Sequence, residues 1–392
     1  MQLAQRVAHM TGDGSDGWEI LFRAREMIAA GEAVLNLTIG EPDIKTAPEI
    51  LEAMHESAMN GATGYSGIQG IEPLRAEIAA RVTARTGVAT TPAEVIVTPG
   101  GQAGLYAAHQ VLLDAGQTGL CIDPHYPTYP GTIRAAGGLV RAVPAAAEAG
   151  FQPDPAALAR AARESGARTL LINSPNNPTG ALYSRATLEA IAEICIAQDL
   201  WLISDEVYDT QVWEGTHISP RALPGMQERT VVLGSLSKSH AMTGSRIGWI
   251  VAPEPVIAAL HALNINTTYG LPGFIQEAAL FALRQGPAFE AQVAEPFHRR
   301  RDLACRVLAN NPALRVSSAS GAMYVMADIR ATGMSGEDFA RKLLAEEKIA
   351  LMPGESFGAS AAGHLRIALT LADDQLEVAL TRLADFARRQ LA

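Results

Sequence analysis

Six short runs, VIVT (Val95–Thr98), GLCID (Gly119–Asp123), TLLIN (Thr169–Asn173), WLISD (Trp201–Asp205), VVLGS (Val231–Ser235) and GWIVA (Gly248–Ala252), constrain the chain more than anything else in it. They are rich in Val, Ile and Leu and are apolar almost throughout, without the period-two alternation of a strand that keeps one face wet. Helical stretches such as QAGLYAAHQVLL and ATLEAIAEICIAQ separate several of them. Strands buried on both faces and alternating with helices require an α/β fold, a mostly parallel sheet covered on either side.

With 392 residues the chain exceeds one typical core, so two domains are expected. After Pro272 the texture changes. A long helical stretch with a break near Gly286-Pro287 leads to Leu308, and strand-like MYVMADI, helix SGEDFARKLLAEE, strand HLRIAL and a last helix follow. The expected division is a large domain over 45–285 and a smaller α+β domain over 286–392, with segment 1–44 packing on the small one. The net charge of −10 argues against sequence-independent binding to nucleic acid. No apolar run approaches the length of a membrane span, and the N-terminus has no signal-peptide pattern. Three scattered cysteines, Cys121, Cys195 and Cys305, give neither a disulfide framework nor a zinc spacing, which fits a reducing cytoplasm.

Two motif matches fail on context. Gly12-Asp13-Gly14-Ser15-Asp16-Gly17 fits G-x-G-x-x-G but follows no strand, so it reads as a loop. Ser235-Leu236-Ser237-Lys238 fits the S-x-x-K nucleophile signature, yet it closes a strand and lacks the companion S-D-N and K-T-G elements. H-E-x-x-H, C-x-x-C, G-x-S-x-G and a P-loop are absent, and no metal site is expected.

The polar residues that matter sit just past the strand ends, where open α/β sheets bind ligands. These are Gly100-Gly101-Gln102, His125-Tyr126, Asn176-Asn177-Pro178-Thr179-Gly180, Asp205-Glu206-Val207-Tyr208 and Ser235 with Lys238. Gly-Gly at a helix N-terminus exposes backbone N–H groups to a phosphate, which Arg246 can clamp and Ser235 can bond. A desolvated Lys238 can attack a carbonyl, Asp205 can pair with a protonated ring nitrogen, Tyr208 and Asn177 can bond a ring hydroxyl, and Tyr126 can stack on a flat ring. One ligand asks for all of these at once: pyridoxal phosphate.

With these motifs the chain resembles the fold-type I pyridoxal-phosphate aminotransferases of class I, the aspartate-aminotransferase-like group. The resemblance runs from Gly40-Glu41-Pro42-Asp43 to Leu365-Arg366-Ile367. It is carried most specifically by Ser235-Leu236-Ser237-Lys238-Ser239 with Gly244-Ser245-Arg246-Ile247-Gly248, and Lys238 follows Asp205 by 33 residues. It implies a seven-stranded-type sheet in the large domain, with both termini building the small one. It further implies Lys238 as the cofactor's Schiff-base lysine and proton shuttle, Asp205 as partner of the pyridine nitrogen, and Asn177 and Tyr208 on the ring oxygen. Tyr126 is implied on the ring face, and Gly101, Gln102, Ser235 and Arg246 on the phosphate. Arg366, with Gly40 and Asn177, would hold the substrate α-carboxylate. Tyr65, in Gly-Tyr-Ser-Gly-Ile-Gln-Gly, would reach the phosphate of a neighbouring subunit, which implies a homodimer with shared active sites. Glu41 and Glu206 are expected to be structural.

The implied activity moves the amino group of an L-amino acid, of aspartate, alanine or aromatic type, to a 2-oxo acid such as 2-oxoglutarate or pyruvate. A C–S β-lyase of the same fold and a non-catalytic ligand-sensing relative are the competing readings. Two departures stand out: Gly244-Ser245-Arg246 where many relatives read Gly-Trp-Arg, and a segment Pro42–Pro48 one residue longer than usual. The second lies at the substrate entrance and bears on side-chain specificity. No arginine for a second substrate carboxylate can be placed in the sequence.

Overall fold

The computed structural model describes residues 4–11, 18–317 and 319–391; the Gly12–Gly17 run lies outside the described residues. Seven strands form one sheet, in the order Val95–Thr98, Gly248–Val251, Thr230–Ser235, Trp201–Asp205, Thr169–Asn173, Thr118–Asp123, Leu139–Pro144. Gly248–Val251 runs antiparallel to both neighbours, and the other pairings are parallel. Every residue of Val95–Thr98, Thr118–Asp123, Thr169–Asn173 and Thr230–Ser235 is buried, as their unbroken apolarity requires. Leu139–Pro144 was not among the expected strands. It lies at one edge of the sheet and is mostly exposed, with Arg141 in its middle paired to Glu164 on the surface, so no unbroken apolar run marks it.

The helix Gly101–Leu112 lies against this sheet through Leu105, Ala108 and Leu112. At Gly104 an added Cβ would come within 3.1 Å of Leu233, so the smallest residue sets how closely helix and sheet approach. Burying each such Leu or Ile is worth about 1.5–3 kcal/mol. That packing fixes the helix N-terminus at the strand ends.

A second sheet is antiparallel throughout, in the order Met352–Pro353, His364–Ala368, Tyr324–Asp328, Arg315–Val316. Helices Gly336–Glu347 and Asp373–Arg389 cover it, and Phe339 meets Phe386 edge to face with ring centres 5.0 Å apart. The N-terminal segment joins this core: Leu35–Asn36 pairs in parallel with Ile349–Ala350, and Ile20, Ala24 and Met27 of helix Trp18–Ala29 enter the same apolar cluster as Phe339 and Leu343. The stretch after Pro272 forms two helices, Gly273–Arg284 and Gly286–Leu308, parted where Gly286 takes φ +75°. From the second, buried Arg300 grips Asp43 with both Nη atoms (2.7 and 2.8 Å) and Asp373 through Nε (2.9 Å), anchoring the lengthened Pro42–Pro48 segment. No helix among the described residues is long and apolar enough to cross a membrane.

Candidate active site

A cavity of about 450 Å³ opens at the ends of the parallel strands, and Gly40 and Arg366 bring the other part of the chain to its wall. It collects every site residue expected from the sequence except Tyr65. Tyr65 stands 91% exposed and packs edge-on against Tyr269 at 5.3 Å, away from the cavity.

One end of the cavity is built for an anion. Gly100, at φ +81°, turns the chain from Val95–Thr98 into helix Gly101–Leu112, whose first N–H groups face the space. A Cβ on Gly100 would lie 2.4 Å from Nη2 of Arg246, so only glycine lets that guanidinium settle here. Arg246 donates to the Thr243 carbonyl (2.9 Å) and forms no ion pair with a carboxylate among the described residues. Ser235 caps the short helix Leu236–Ser239 by accepting from Ser237 N at 3.1 Å, which turns its hydroxyl and Ser237 toward the same end. Ser245 does not line the cavity.

The opposite end holds a second unpaired cation. Arg366 is 4% exposed and lies between the rings of Tyr324 and Phe357, 4.6 Å from each centre. Its Nη1 donates to Asn177 Oδ1 at 2.9 Å, Nη2 donates to the Thr38 carbonyl, and Nε has no partner. No carboxylate neutralises it among the described residues. Burying a guanidinium without a counter-ion is costly, and an anion in the cavity would offset that cost. Asn177 is itself positioned by Asn173, whose Oδ1 accepts its N–H at 2.7 Å and whose Nδ2 donates to the Asp205 carbonyl.

Asp205 and Lys238 line the same cavity, Lys238 within electrostatic reach of both cations. Oδ2 of Asp205 accepts from the Tyr129 hydroxyl at 2.6 Å, and Oδ1 accepts from Val207 N at 3.3 Å. Desolvation pushes the Asp205 carboxyl up, while the Tyr129 and Val207 bonds pull it back. Burial pushes the Tyr129 phenol well up, so it stays a donor. The Tyr208 and Tyr324 hydroxyls share a hydrogen bond at 3.0 Å. Lys238 Nζ donates to the Gly40 carbonyl, and its pKa falls from 10.5 to about 8, chiefly by desolvation and secondarily through Arg366 and Arg246, against the pull of Glu41. Gly40 admits no side chain: a Cβ would land 1.6 Å from the Tyr324 hydroxyl.

Sequence reasoning missed Tyr129, Tyr324, Trp18 and the position of Glu41. Tyr129 left a signal, one helical turn beyond Tyr126 and edge-on to it at 5.9 Å. Tyr324 and Trp18 left none, because only tertiary packing brings their segments to the cavity. Glu206 is structural as expected, accepting from Ser204 and Ser219. Glu41 lines the cavity, with Oε1 accepting from Thr243 Oγ1 at 2.9 Å.

The family model for aminotransferase class I and II matches residues 32–383. The chain belongs to that family. It is 44% identical over 381 residues (97% of this chain, 96% of the relative) to the arginine–pyruvate transaminase AruH of Pseudomonas aeruginosa. It is 36% identical over 366 residues (92% and 93%) to the aspartate/prephenate aminotransferase of Thermus thermophilus. The solved aspartate aminotransferase from Thermus thermophilus with maleate superposes with a TM-score of 0.92 at 35% identity, covering 98% of this chain and all of that one. The protein is therefore a pyridoxal-phosphate-dependent transaminase, and the lyase alternative is not favoured. The cavity fits that cofactor: an unpaired arginine beside a glycine cradle for its phosphate, a carboxylate for its ring nitrogen, and an amine of lowered pKa for its aldehyde.

Proposed function

We propose that this cavity carries an amino group from an L-amino acid to a 2-oxo acid, with pyruvate as acceptor. The observation that supports it is one cavity lined by two guanidiniums, Arg246 and Arg366, without a carboxylate partner among the described residues, and by a lysine of depressed pKa that feels both. The acceptor follows the name of the 44% identical relative. When bound, pyridoxal phosphate supplies the carbonyl that carries the amino group and a ring that withdraws electrons from the substrate Cα. Gly101, Gln102, Ser235 and Arg246 would hold its phosphate, Asp205 its ring nitrogen, Asn177 and Tyr208 its ring hydroxyl, and Tyr126 its ring face. Tyr65 would reach the phosphate site of a second copy, in a homodimer; the free cysteines suit a reducing cytoplasm. Arg366 and Asn177 would hold the substrate α-carboxylate and so turn Cα toward Lys238, whose Nζ would take the Cα proton and deliver it to the cofactor carbon that carries the nitrogen.

Two expected results follow from the electrostatics. Attachment of the cofactor aldehyde needs unprotonated Nζ, so the rate at which cofactor-free protein takes up pyridoxal phosphate rises with pH and levels off above about 8. A midpoint near the ordinary lysine value of 10.5 overturns this. In Tyr129→Phe, Asp205 loses the bond that favours its charged form. Its pKa rises, the acid limb of the pH–rate profile moves to higher pH, and kcat falls roughly tenfold, as for one charge-assisted hydrogen bond. A tyrosine that only packs would leave the limb in place.

The direct assay is amino transfer by the purified holoenzyme from a panel of L-amino acids to pyruvate and to 2-oxoglutarate. Release of pyruvate and ammonia from cystathionine, without amino transfer, would sink the reading. The named relatives differ in their substrates, so the donor turns on the walls of this chain's own cavity.

A further inference from the structure

We infer that the mouth of the active-site cavity selects an amino donor with a cationic side chain, received by Glu41 and Trp18. The inference rests on the transaminase reading and concerns only which side chain that site accepts.

The charges on the cavity wall can be assigned one by one. Its cations are Lys238, Arg246 and Arg366, and its carboxylates are Asp205 and Glu41. Arg246 lies in the glycine cradle at the phosphate end, Arg366 is set among Tyr324, Phe357 and Asn177 for the α-carboxylate, and Lys238 stands at the reacting carbon. Asp205 is held on the Tyr129 hydroxyl for the ring nitrogen. Among the described residues, that leaves Glu41 as the one charge on the wall without a role in cofactor or α-carboxylate binding.

Glu41 is exposed at the rim, fixed there by Thr243 Oγ1 at 2.9 Å, and its backbone neighbour Gly40 accepts from Lys238. A donor side chain leaving Cα toward solvent passes this carboxylate. Trp18, the first residue of helix Trp18–Ala29, lines the same cavity with an indole, the best of the aromatic faces for a cation. Gln102, also exposed on this wall, is neutral, with its Oε1 engaged by Thr128 Oγ1 at 2.8 Å.

A second carboxylate on the donor would find no further cation among the described residues of the wall beyond Lys238, Arg246 and Arg366. Nor would a second copy bring one by way of Tyr65: the stretch Ala62–Gly70, ATGYSGIQG, contains no Lys or Arg, and neither does Asn264–Pro272, NINTTYGLP, which carries Tyr269. A guanidinium or ammonium meets both an anion and a ring.

The test compares L-arginine with L-citrulline, which replaces the guanidinium by a neutral ureido group of nearly the same shape, using the holoenzyme and pyruvate. The expected ratio of kcat/KM is roughly tenfold in favour of arginine, with L-aspartate the poorest of the three donors. Glu41→Gln should bring the ratio to within about twofold of unity, Glu41→Asp should keep most of it, and Trp18→Leu should lower it severalfold. Because the readout is a ratio on one enzyme form, a general loss of activity in a variant does not mimic the effect. Transfer from L-alanine with an arginine-to-citrulline ratio of one, a ratio unchanged in Glu41→Gln, or a preference for aspartate overturns the subsite and leaves the transaminase standing. No transfer from any donor overturns the transaminase reading, and this inference with it.

Discussion

Lys238→Ala lowers kcat for amino transfer by at least about 100-fold and up to about 10,000-fold, the range that a positioned proton-transfer group contributes. The variant still folds, because the Lys238 side chain faces the cavity and its amine is held there by the Gly40 carbonyl rather than by the core. It also loses the absorption band of lysine-linked cofactor while retaining pyridoxal phosphate noncovalently, since Arg246, Ser235 and the helix N-terminus at Gly101 remain. Absorbance spectra before and after dialysis, together with a single-turnover assay, check both halves. A variant that keeps the band places the covalent linkage elsewhere and removes Lys238 from the centre of the mechanism.

Arg366→Gln carries the second large effect. Its guanidinium is buried, stacked between two rings and bonded to Asn177, with no carboxylate among the described residues to satisfy it. Removing one partner of a buried charge pair costs about 2–5 kcal/mol. That corresponds to a fall of roughly 30- to 5,000-fold in kcat/KM for every amino donor. Much of the fall should appear in KM, because the α-carboxylate is held both before and during reaction. The spectrum of bound cofactor should be unchanged, which separates this defect from that of Lys238→Ala. Steady-state kinetics with L-alanine and one longer donor measure it. A loss confined to one donor would mean that Arg366 reads the side chain instead.

Much of the molecule was legible from residues alone because strand burial leaves a local record. Six of the seven strands of the large sheet were expected from unbroken apolar runs, and the seventh escaped because Leu139–Pro144 is mostly exposed and broken by Arg141. The break at Gly286 and the later succession of strands and helices were also legible, since turn residues and periodicity act over short spans. Chemistry concentrated at strand ends was legible for a related reason: a parallel sheet aligns its C-terminal ends, so residues far apart in sequence share one edge.

By itself, then, the sequence determined an α/β sheet and the residues that close on a phosphate, a ring and an aldehyde, because these follow one another at the ends of strands that local hydrophobicity specifies. Only the tertiary structure decided what stands opposite them. Tyr324 arrives over Gly40, Phe357 against Arg366, and Trp18 at the cavity wall, from segments whose own patterns carry no sign of the cavity. Their placement is set by long-range burial, in which the N-terminal helix and the last antiparallel sheet share one apolar core, and such packing leaves no mark in the spacing of any one segment.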